Sequence, residues 1–269
     1  MASIFKVYWR ESRTCFSRLP VWLPGTPMAL GDIGVLSEHG WTKVTRLTDL
    51  RIAVTVDEVG PPSDYDYSSG ATISQETALF GQTTHEYAGL ASGSAGLVVD
   101  FHRGGAFILK ADAVRVCRID NLNEIEAAIL DLYSRGMWLR EWVVVTEVAR
   151  GGPSVTLIAE DAGAKAAVGL SAGVASGGAD PTGVHGGLRL GYQRGLAASF
   201  ITSETSAVLW RGRYVNDGWF GRTAVRERGD DSGVRRAAWS HPATETFAEK
   251  QPYLMDIEDV DEVLDSLRF

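Results

Sequence analysis

Cysteine is scarce in this chain of 269 residues, which contains only Cys15 and Cys117. Two cysteines cannot build the disulfide framework of a small secreted domain, and their spacing matches no zinc motif. They could form one disulfide, but we expect buried free thiols in a reducing compartment. With 45% apolar residues, the chain can form a core without cross-links, as one large domain or a domain with an appendage.

Long apolar runs are also missing from the sequence. No stretch reaches the ~18 apolar residues of a transmembrane helix. Residues 1–7 lack the apolar core of a signal peptide. An excess of positive charge is missing as well, because the formal net charge is −8 at pH 7. That balance argues against nucleic acid as the main partner.

Metal-ligand clusters and phosphate-binding motifs are equally absent. The five histidines stand apart from one another, and no two have the i, i+4 spacing of a helical zinc site. The sequence contains no P-loop and no G-x-G-x-x-G motif that follows a strand. We therefore expect neither a metal nor a nucleotide cofactor.

The most informative stretch that is present covers residues 143–201. An apolar run and a second strand, at 155–158, precede two segments in which alternate residues are apolar. The residues of one parity are Ala164, Ala166, Val168, Leu170, Ala172 and Val174 in the first segment, and Leu188, Leu190 and Tyr192 in the second. A connector rich in glycine joins the segments. The pattern predicts a β-hairpin with one apolar face and one face of small or polar residues.

The length of the two arms distinguishes this hairpin from ordinary ones. Each arm runs to about a dozen residues, against ~5–6 for a strand in a globular domain. A tilted strand needs ~9–11 residues to cross a bilayer, so the arms have a membrane-crossing length. The alternative interpretation is an edge hairpin of a soluble sheet, although glycine inside strands weakens them.

Residues 121–135 carry the clearest helix signal. Asn121 and Glu124 have the spacing of a capping box, and the apolar residues that follow lie on one face. Gly136 suits the C-terminal stop. The sequence therefore predicts one well-defined helix before the strand that opens at Trp142.

Two other segments give weaker signals. Residues 4–10 contain Tyr8 and Trp9 among strand-forming residues and predict a first strand. Residues 63–96 scatter aromatic residues among Ser, Thr, Gly and Ala. A structureless segment of that length is uncommon in a compact domain. It is either mobile or a second pair of weak strands.

A short amphipathic helix is predicted at the C-terminal end of the sequence. Asp256 is a suitable N-cap, and the apolar positions on one face are Ile257, Val260, Val263, Leu264 and Leu267. The opposite face is acidic and carries most of the chain's net charge of −8. We expect the helix to dock on the body of the protein. Burial of its apolar positions contributes on the order of 5–10 kcal/mol before entropy is subtracted.

Residues 169–173 match G-x-S-x-G, the nucleophile elbow of serine hydrolases, with Ser171 as the candidate nucleophile. Asp180 and His241 follow in the order that a triad requires. An elbow needs a strand, a sharp turn and a helix, whereas Ser171 lies within a continuous alternation. The pattern favours a strand residue over a catalytic serine.

The order of elements over residues 98–214 carries a resemblance to a known family. Strand 113–116, helix 121–135, strands 143–148 and 155–159, the alternating segment 168–173 and strand 208–210 follow one another. This order resembles the latter part of a gasdermin pore-forming domain, especially the bacterial kind. The resemblance implies an α+β fold like that of a gasdermin N-terminal domain. Such a fold is a twisted, mostly antiparallel sheet with a few helices, followed here by a short C-terminal helical segment.

The resemblance also implies a function without catalysis. Gasdermins of this kind are held inactive by a short C-terminal segment until a protease removes it. Their hairpins then unfurl, and many copies assemble a membrane β-barrel that kills the host cell in defence against phage. The implied partners of this chain are an activating protease, a lipid membrane and further copies of itself. The implied location is cytoplasmic before activation and the inner membrane after it.

The resemblance assigns roles to particular residues. It implies a pore-forming domain at 1–236, a linker and autoinhibitory segment at 237–269, and cleavage near Arg236 or Lys250. The membrane-inserting hairpin would use Val168, Leu170, Val174, Leu188, Leu190 and Tyr192. The autoinhibitory contacts would come from Ile257, Val260, Val263, Leu264 and Leu267.

The chain departs from the family at its N-terminus. Bacterial gasdermins carry a lipidated cysteine within the first few residues, whereas the first cysteine here is Cys15. Two alternatives to the pore-forming interpretation stay open. One is a non-catalytic, soluble α/β binding or interaction protein, and the other is a serine hydrolase that uses Ser171.

Overall fold

The computed structural model describes residues 4–37, 40–69, 72–79, 95–170, 188–216 and 252–257. The helices in these ranges are α1 (Ile4–Phe16) and α2 (Leu122–Ser134), and a 3-10 turn covers Leu47–Leu50. The strands are β1 (Leu19–Pro20), β2 (Asp32–Ser37), β3 (Gly40–Arg46), β4 (Val56–Ser68), β5 (Ile73–Leu79), β6 (Ala95–Phe101), β7 (Phe107–Ile119), β8 (Trp142–Gly151), β9 (Ser154–Ala159), β10 (Ala164–Leu170), β11 (Leu188–Arg194), β12 (Leu196–Thr202), β13 (Ser206–Asn216) and β14 (Tyr253–Asp256). This content confirms the coarse prediction of an α+β fold built on a mostly antiparallel sheet with few helices.

The main sheet has ten strands, and its central path runs β1-β13-β8-β7-β9-β12. β4 pairs with the edge of β7 that faces away from β8 and β9. β2 pairs with the start of β8, and β3 pairs with β2. β8 and β9 pair in succession with β7, through Arg115 with Arg150 and Ala111 with Ser154. The two segments therefore act as one long strand with a break, and not as a hairpin.

The long strands of the main sheet are interrupted at one common level. β7 bends at Ala113, which has a φ of 48°, and β8 gives way to β9 at Gly152. A Cβ added to Gly152 would lie 2.2 Å from the carbonyl oxygen of Glu204, between β12 and β13. Only glycine allows these backbones to approach so closely. The sheet curls at this line, because the interruptions lie side by side across neighbouring strands.

A second sheet of four strands has the order β11-β10-β6-β5. Each of its strands is joined by a short connection to one strand of the main sheet: β11 to β12, β10 to β9, β6 to β7 and β5 to β4. These main-sheet strands lie in the order β12, β9, β7, β4, which matches the order of the second sheet. The two sheets are thus successive parts of one ribbon of four strands. The prediction of weak strands within 63–96 is met by the end of β4 and by β5, while 80–94 lie outside the described residues.

Helices cover both faces of the main sheet because neighbouring residues of a strand point to opposite sides. Val143 and Val145 belong to the buried cluster that contains Phe5 and Trp9 of α1. Val144 belongs to a second cluster, which contains Ile125 and Ile129 of α2. The predicted helix at 121–135 is therefore confirmed as α2, and its buried residues are the apolar face read from the sequence.

The capping box predicted for α2 is not formed through the Asn121 side chain, which makes no capping hydrogen bond to the helix. Its amide nitrogen instead donates to the carbonyl of Ala53, and its amide oxygen accepts from the N–H of Thr55. The same side chain also donates to Glu124 at 3.3 Å. Asn121 therefore ties the start of α2 to the segment that enters β4.

The strand predicted at residues 4–10 is wrong, because this segment belongs to α1. The buried residues Phe5, Tyr8, Trp9 and Ser12 recur at intervals of three and four, which is the spacing of one helical face. Tyr8 stacks edge-on against Phe107 of β7 at 4.7 Å between ring centroids. The aromatic pair that suggested a strand is in fact the packing face of a helix.

Candidate functional site

Two hairpins lie side by side in the four-stranded sheet. β5 pairs with β6, from Ile73 opposite Phe101 to the far end of the strands. β10 pairs with β11, from Lys165 opposite Arg194 onward. The hairpins join through β6 and β10, where Val99 lies opposite Ala166. The hairpin predicted from residues 164–201 is present as β10 and β11, each seven residues long in the described structure, while 171–187 lie outside the described residues. Residues 196–201, predicted to continue the second arm, instead belong to β12, which pairs with β9 of the main sheet. A second hairpin extends the first into a single sheet.

The two faces of this sheet differ in chemistry. One face contributes Val99, Phe101, Ala164, Ala166 and Val168 to a buried apolar cluster, with Ile73, Leu97 and Leu190 partly buried against it. On the other face, Lys165 forms an ion pair with Asp100 at 2.9 Å. Oγ of Ser74 lies 3.0 Å from Nε2 of His102. The alternation of the sequence thus becomes one apolar and one polar surface.

The outer strands of this sheet are edges in the part of the chain that the structure describes. Within those residues, β5 pairs with β6 and β11 pairs with β10, and neither has a partner on its other side. An edge strand presents a row of N–H and C=O groups that can pair with another chain. The arrangement therefore offers two pairing edges on either side of a ready-formed sheet of four strands.

The predicted hairpin residues are described to different extents. Val168 is buried, and Leu190 lies opposite it in register. Leu170 and Leu188 are paired in register at the end of the ladder. The backbone of Tyr192 is opposite Ala167, because the register shifts between Ala167 and Val168. This irregularity interrupts the strict alternation predicted for β11, and Val174 lies outside the described residues.

The second part of the candidate site is the C-terminal strand. β14 pairs antiparallel with β13, with Leu254 opposite Val215 and Met255 opposite Tyr214. β1 pairs with the same strand through Leu19 and Trp210. β14 and β1 lie on the edge of β13 away from β8, so they cover it in succession.

The C-terminal helix predicted to follow Asp256 lies outside the described residues beyond Ile257. Residues Tyr253–Asp256 are a strand, and the N–H of Ile257 still bonds to the carbonyl of Gly212 at 3.2 Å. The carboxylate of Asp256 pairs with Arg213 at 2.9 Å. The edge of β13 offers this strand its hydrogen bonds. Val260, Val263, Leu264 and Leu267 lie outside the described residues.

The C-terminal segment formed by β14 and Ile257 places one apolar side chain in each of two cores. Leu254 is 6% exposed and belongs to the cluster that contains Ile125 of α2. Ile257 is 5% exposed and belongs to the cluster that contains Trp9 of α1. The short C-terminal segment is therefore anchored on both faces of the sheet.

Three charged side chains fasten β14 from separate elements. Arg213 of β13 bonds to Asp256, and Arg13 of α1 donates to the carbonyl of Ile257. Glu126 of α2 accepts from the N–H of Leu254 at 3.3 Å. We call this set of contacts the C-terminal clasp. It could not be predicted from the sequence, because nothing local indicates which distant backbone groups a charged residue will bond.

Most residues predicted for other chemistry belong to parts of the chain that the structure does not describe. Ser171, Asp180 and His241 lie outside the described residues, as do Arg236 and Lys250. Cys15 and Cys117 are free thiols, but Cys15 is exposed and not buried as the sequence had predicted. Its thiol donates to the hydroxyl of Tyr67. Burial, with a smaller effect from this thiol, raises the pKa of Tyr67.

A search for membrane-spanning helices over the described ranges finds none of sufficient length and apolarity. Comparison with known proteins adds no identification. No protein-family model matches the chain, and no curated protein matches it with significance. The geometry of the hairpin pair and of the C-terminal clasp must therefore carry the functional argument.

Proposed function

We propose that this chain is a latent membrane pore-forming protein of the gasdermin type, held inactive by its C-terminal segment. The observation that carries the proposal is the pairing of two hairpins, β5–β6 and β10–β11, into one sheet. That sheet continues four strands of the main sheet in the same order. A protein that must deliver two hairpins to a membrane together needs them already aligned.

The faces of this sheet support the proposal. A strand that crosses a bilayer presents apolar residues to lipid and polar or small residues to the lumen. Val168 and Phe101 lie on the apolar face, while Lys165 and Asp100 lie on the other. Before activation the apolar face is buried in the protein's own core, and after activation lipid would replace that core.

The backbone groups at the edges of the four-stranded sheet give a reason for oligomerisation in the membrane. A bilayer offers no water to unpaired N–H and C=O groups, so an open sheet edge cannot remain within it. The free edges of β5 and β11 in the described structure would each need a neighbour. Pairing of one copy's β5 with the β11 of the next would close a ring of copies into a membrane β-barrel. The partners are therefore lipid and further copies of the chain.

Latency is assigned to the C-terminal clasp. β14 is a short strand of four residues, and two side chains and three charged contacts hold it. While the chain is intact, its docking is intramolecular and is favoured by a high effective concentration. Proteolysis between β13 and β14, in the region of Arg236 or Lys250, makes the contact dissociable. Loss of β14 exposes an edge of the main sheet and removes a support of α1 and α2.

The test compares the full chain with a chain that ends at Ala248 and so lacks β14. We expect the shorter chain to release dye from liposomes and to kill bacteria that express it, whereas the full chain does neither. Equal activity of the two chains, or no activity from either, contradicts the proposal.

Matched substitutions in the shorter chain test the role of the hairpins. Val168→Asp places a charge on the apolar face and should abolish leakage, because a charged side chain that faces lipid is destabilising near the midplane. Lys165→Gln changes the polar face of the same strand and should preserve leakage. Circular dichroism checks that both variants fold. Leakage that survives Val168→Asp would show that β10 does not enter the membrane.

Ser171→Ala in the same chain tests the enzyme alternative. Leakage and toxicity should be unchanged, because the proposal gives this serine no chemical role. A fluorophosphonate probe that labels the full chain, and loses its label in Ser171→Ala, would instead favour the serine hydrolase.

A further inference from the structure

A small cavity lies where α1, β1 and β13 meet the C-terminal strand. Its volume is about 180 Å³, many times the ~10–15 Å³ that one water needs. Three arginines, Arg13, Arg18 and Arg211, line it. The side of the cavity formed by the C-terminal segment contributes Asp256 and Ile257. We propose that this cavity is a binding site for a phosphate group, and that an occupied site holds the C-terminal segment closed.

The arginines are positioned by contacts with the body of the protein. Nε of Arg18 bonds to Oε1 of Glu147 at 2.5 Å, and Nε of Arg211 donates to the carbonyl of Ser17 at 2.8 Å. The same Glu147 oxygen is 3.7 Å from Nε of Arg211. Glu147 thus lies between two guanidinium groups and limits their repulsion. Both side chains are held before any ligand arrives.

The charge of the cavity favours an anion. Among the residues that the structure describes, three guanidinium groups line it against a single carboxylate, that of Asp256. This carboxylate is already engaged by Arg213 at 2.9 Å. Glu147 is shared by Arg18 and Arg211, so one negative charge lies beside two positive charges and neutralises only one of them. An anion between the guanidinium groups would compensate the remaining charge.

The chemistry of the donors favours phosphate over a carboxylate. Each guanidinium has five N–H donors in a fixed plane, and the contacts of Arg18 and Arg211 described above use Nε. Nη1 of Arg18 also donates to the carbonyl of Phe16 at 3.4 Å. Nη2 of Arg18 and the terminal nitrogens of Arg211 can therefore turn to a ligand. One guanidinium fork satisfies a carboxylate, whereas three groups from different directions suit the tetrahedral oxygens of a phosphate.

The cavity couples ligand binding to the position of the C-terminal segment. Its lining includes Gly212, whose carbonyl accepts from the N–H of Ile257, and Arg13, which donates to the carbonyl of the same residue. Undocking of β14 removes one side of the cavity and two of its polar contacts. A ligand that binds the closed form more tightly must, by linkage, oppose that undocking. The effect of this linkage on activation rests on the proposed function, whereas the binding of phosphate to the cavity does not.

Hydrogen exchange on the full chain tests the proposal with inorganic phosphate as the probe. Calorimetry first gives the Kd, with sodium chloride at equal ionic strength as the reference. At phosphate ten times the Kd, the opening equilibrium of β14 should fall about 11-fold, and exchange of its amides should slow by that factor. Slowing no greater than in chloride would overturn the proposal.

Three substitutions separate this site from general anion effects. Arg13→Gln and Arg211→Gln should each abolish the difference between phosphate and chloride. Arg103→Gln, an exposed arginine in the turn between β6 and β7, should retain it in full. Each variant is compared with itself in the two salts, so a loosened clasp does not hide the result. A phosphate effect that survives in both cavity variants would contradict the assignment.

A phosphate monoester can come from solution or from a lipid, and vesicles distinguish the two sources. The full chain is floated with phosphatidylcholine vesicles that contain or lack phosphatidic acid. Flotation that requires phosphatidic acid and is lost in Arg211→Gln assigns the site to a lipid headgroup. Phosphate-specific protection without such flotation assigns it to a soluble phosphate. Neither experiment measures leakage, so their failure would leave the pore-forming proposal to its own test.

Discussion

The guanidinium of Arg13 donates a hydrogen bond to the backbone carbonyl of Ile257, 244 residues further along the chain. This contact joins the first helix to the last residue that the structure describes. α1 also packs against the main sheet, where Trp9 lies 6.3 Å from Trp210 between ring centroids. Departure of the C-terminal segment would therefore loosen α1 as well as uncover β13.

Ile257→Ala should weaken the docking of the C-terminal strand. The side chain is 5% exposed, and removing a buried Ile costs ~2–5 kcal/mol. Even 2 kcal/mol raises the open population of β14 about 30-fold. The control is Tyr253→Ala in the same strand, because Tyr253 is 45% exposed. Hydrogen exchange of β14 amides measures both variants, and equal effects would show that burial of Ile257 does not hold the strand.

A reversible cross-link should keep the cleaved protein inactive. Asn216 and Tyr253 are directly opposite in the β13–β14 ladder, at a separation from which a disulfide can form. The double variant Asn216→Cys and Tyr253→Cys, with Cys15 and Cys117 replaced by Ser, is cut between the two strands under oxidising conditions. We expect no liposome leakage until a reductant is added.

Single-cysteine variants control for the new thiols and should leak after cleavage with or without reductant. Leakage by the oxidised, cut double variant would mean that release of β14 is not the activating event. That result would contradict the role assigned to the clasp while leaving the arrangement of the hairpins unaffected.

Elements whose determining contacts are local could be predicted from the sequence, and elements fixed by distant contacts could not. α2 was predictable because its buried residues, Ile125 and Ile129, repeat with the helical period. The β10–β11 hairpin was predictable because alternation is also a local property. α1 was misread, since the adjacent aromatic residues Tyr8 and Trp9 suggest a strand when the spacing from Phe5 is overlooked.

β14 and the clasp could not be predicted from local pattern. Tyr253–Asp256 is too short to display a period, and it forms a strand because β13 offers an open edge. The continuity of β8 and β9 along β7 was hidden for a similar reason. A break at Gly152 resembles a turn in the sequence, and only the register with Asp112 and its neighbours shows that pairing resumes beyond it.

Gly152→Ala should disrupt the bend of the main sheet. The new Cβ would lie 2.2 Å from the carbonyl oxygen of Glu204 and 3.0 Å from Cα of Thr205, so backbone atoms must move. We expect destabilisation above about 3 kcal/mol, within the range of severe core or strain mutations. Gly163→Ala is the control, because its φ of 83° costs only ~1–2 kcal/mol and its Cβ meets open space. Urea unfolding compares the two, and equal losses would contradict close approach at the bend.

The stability of the α1 packing should fall at alkaline pH. Burial raises the pKa of Tyr8, and the nearby hydroxyls of Thr156 and Ser12 offset only part of that effect. A raised folded-state pKa means that the neutral hydroxyl is favoured in the fold. Its contribution is therefore complete below the unfolded-state pKa of about 10 and declines as the pH rises toward the folded-state value.

Tyr8→Phe isolates this contribution from the lysines that titrate in the same range. Urea unfolding is measured between pH 8 and 11, and the difference in unfolding free energy between the variant and the unmodified chain is compared across pH. We expect the unfolding free energy of Tyr8→Phe, relative to that of the unmodified chain, to rise by ~1 kcal/mol for each pH unit above 10. Tyr253→Phe is the control, because Tyr253 is 45% exposed and lies outside the buried core. If the unfolding free energies of Tyr8→Phe and Tyr253→Phe depend on pH in the same way, ionisation of Tyr8 does not require α1 to leave the sheet.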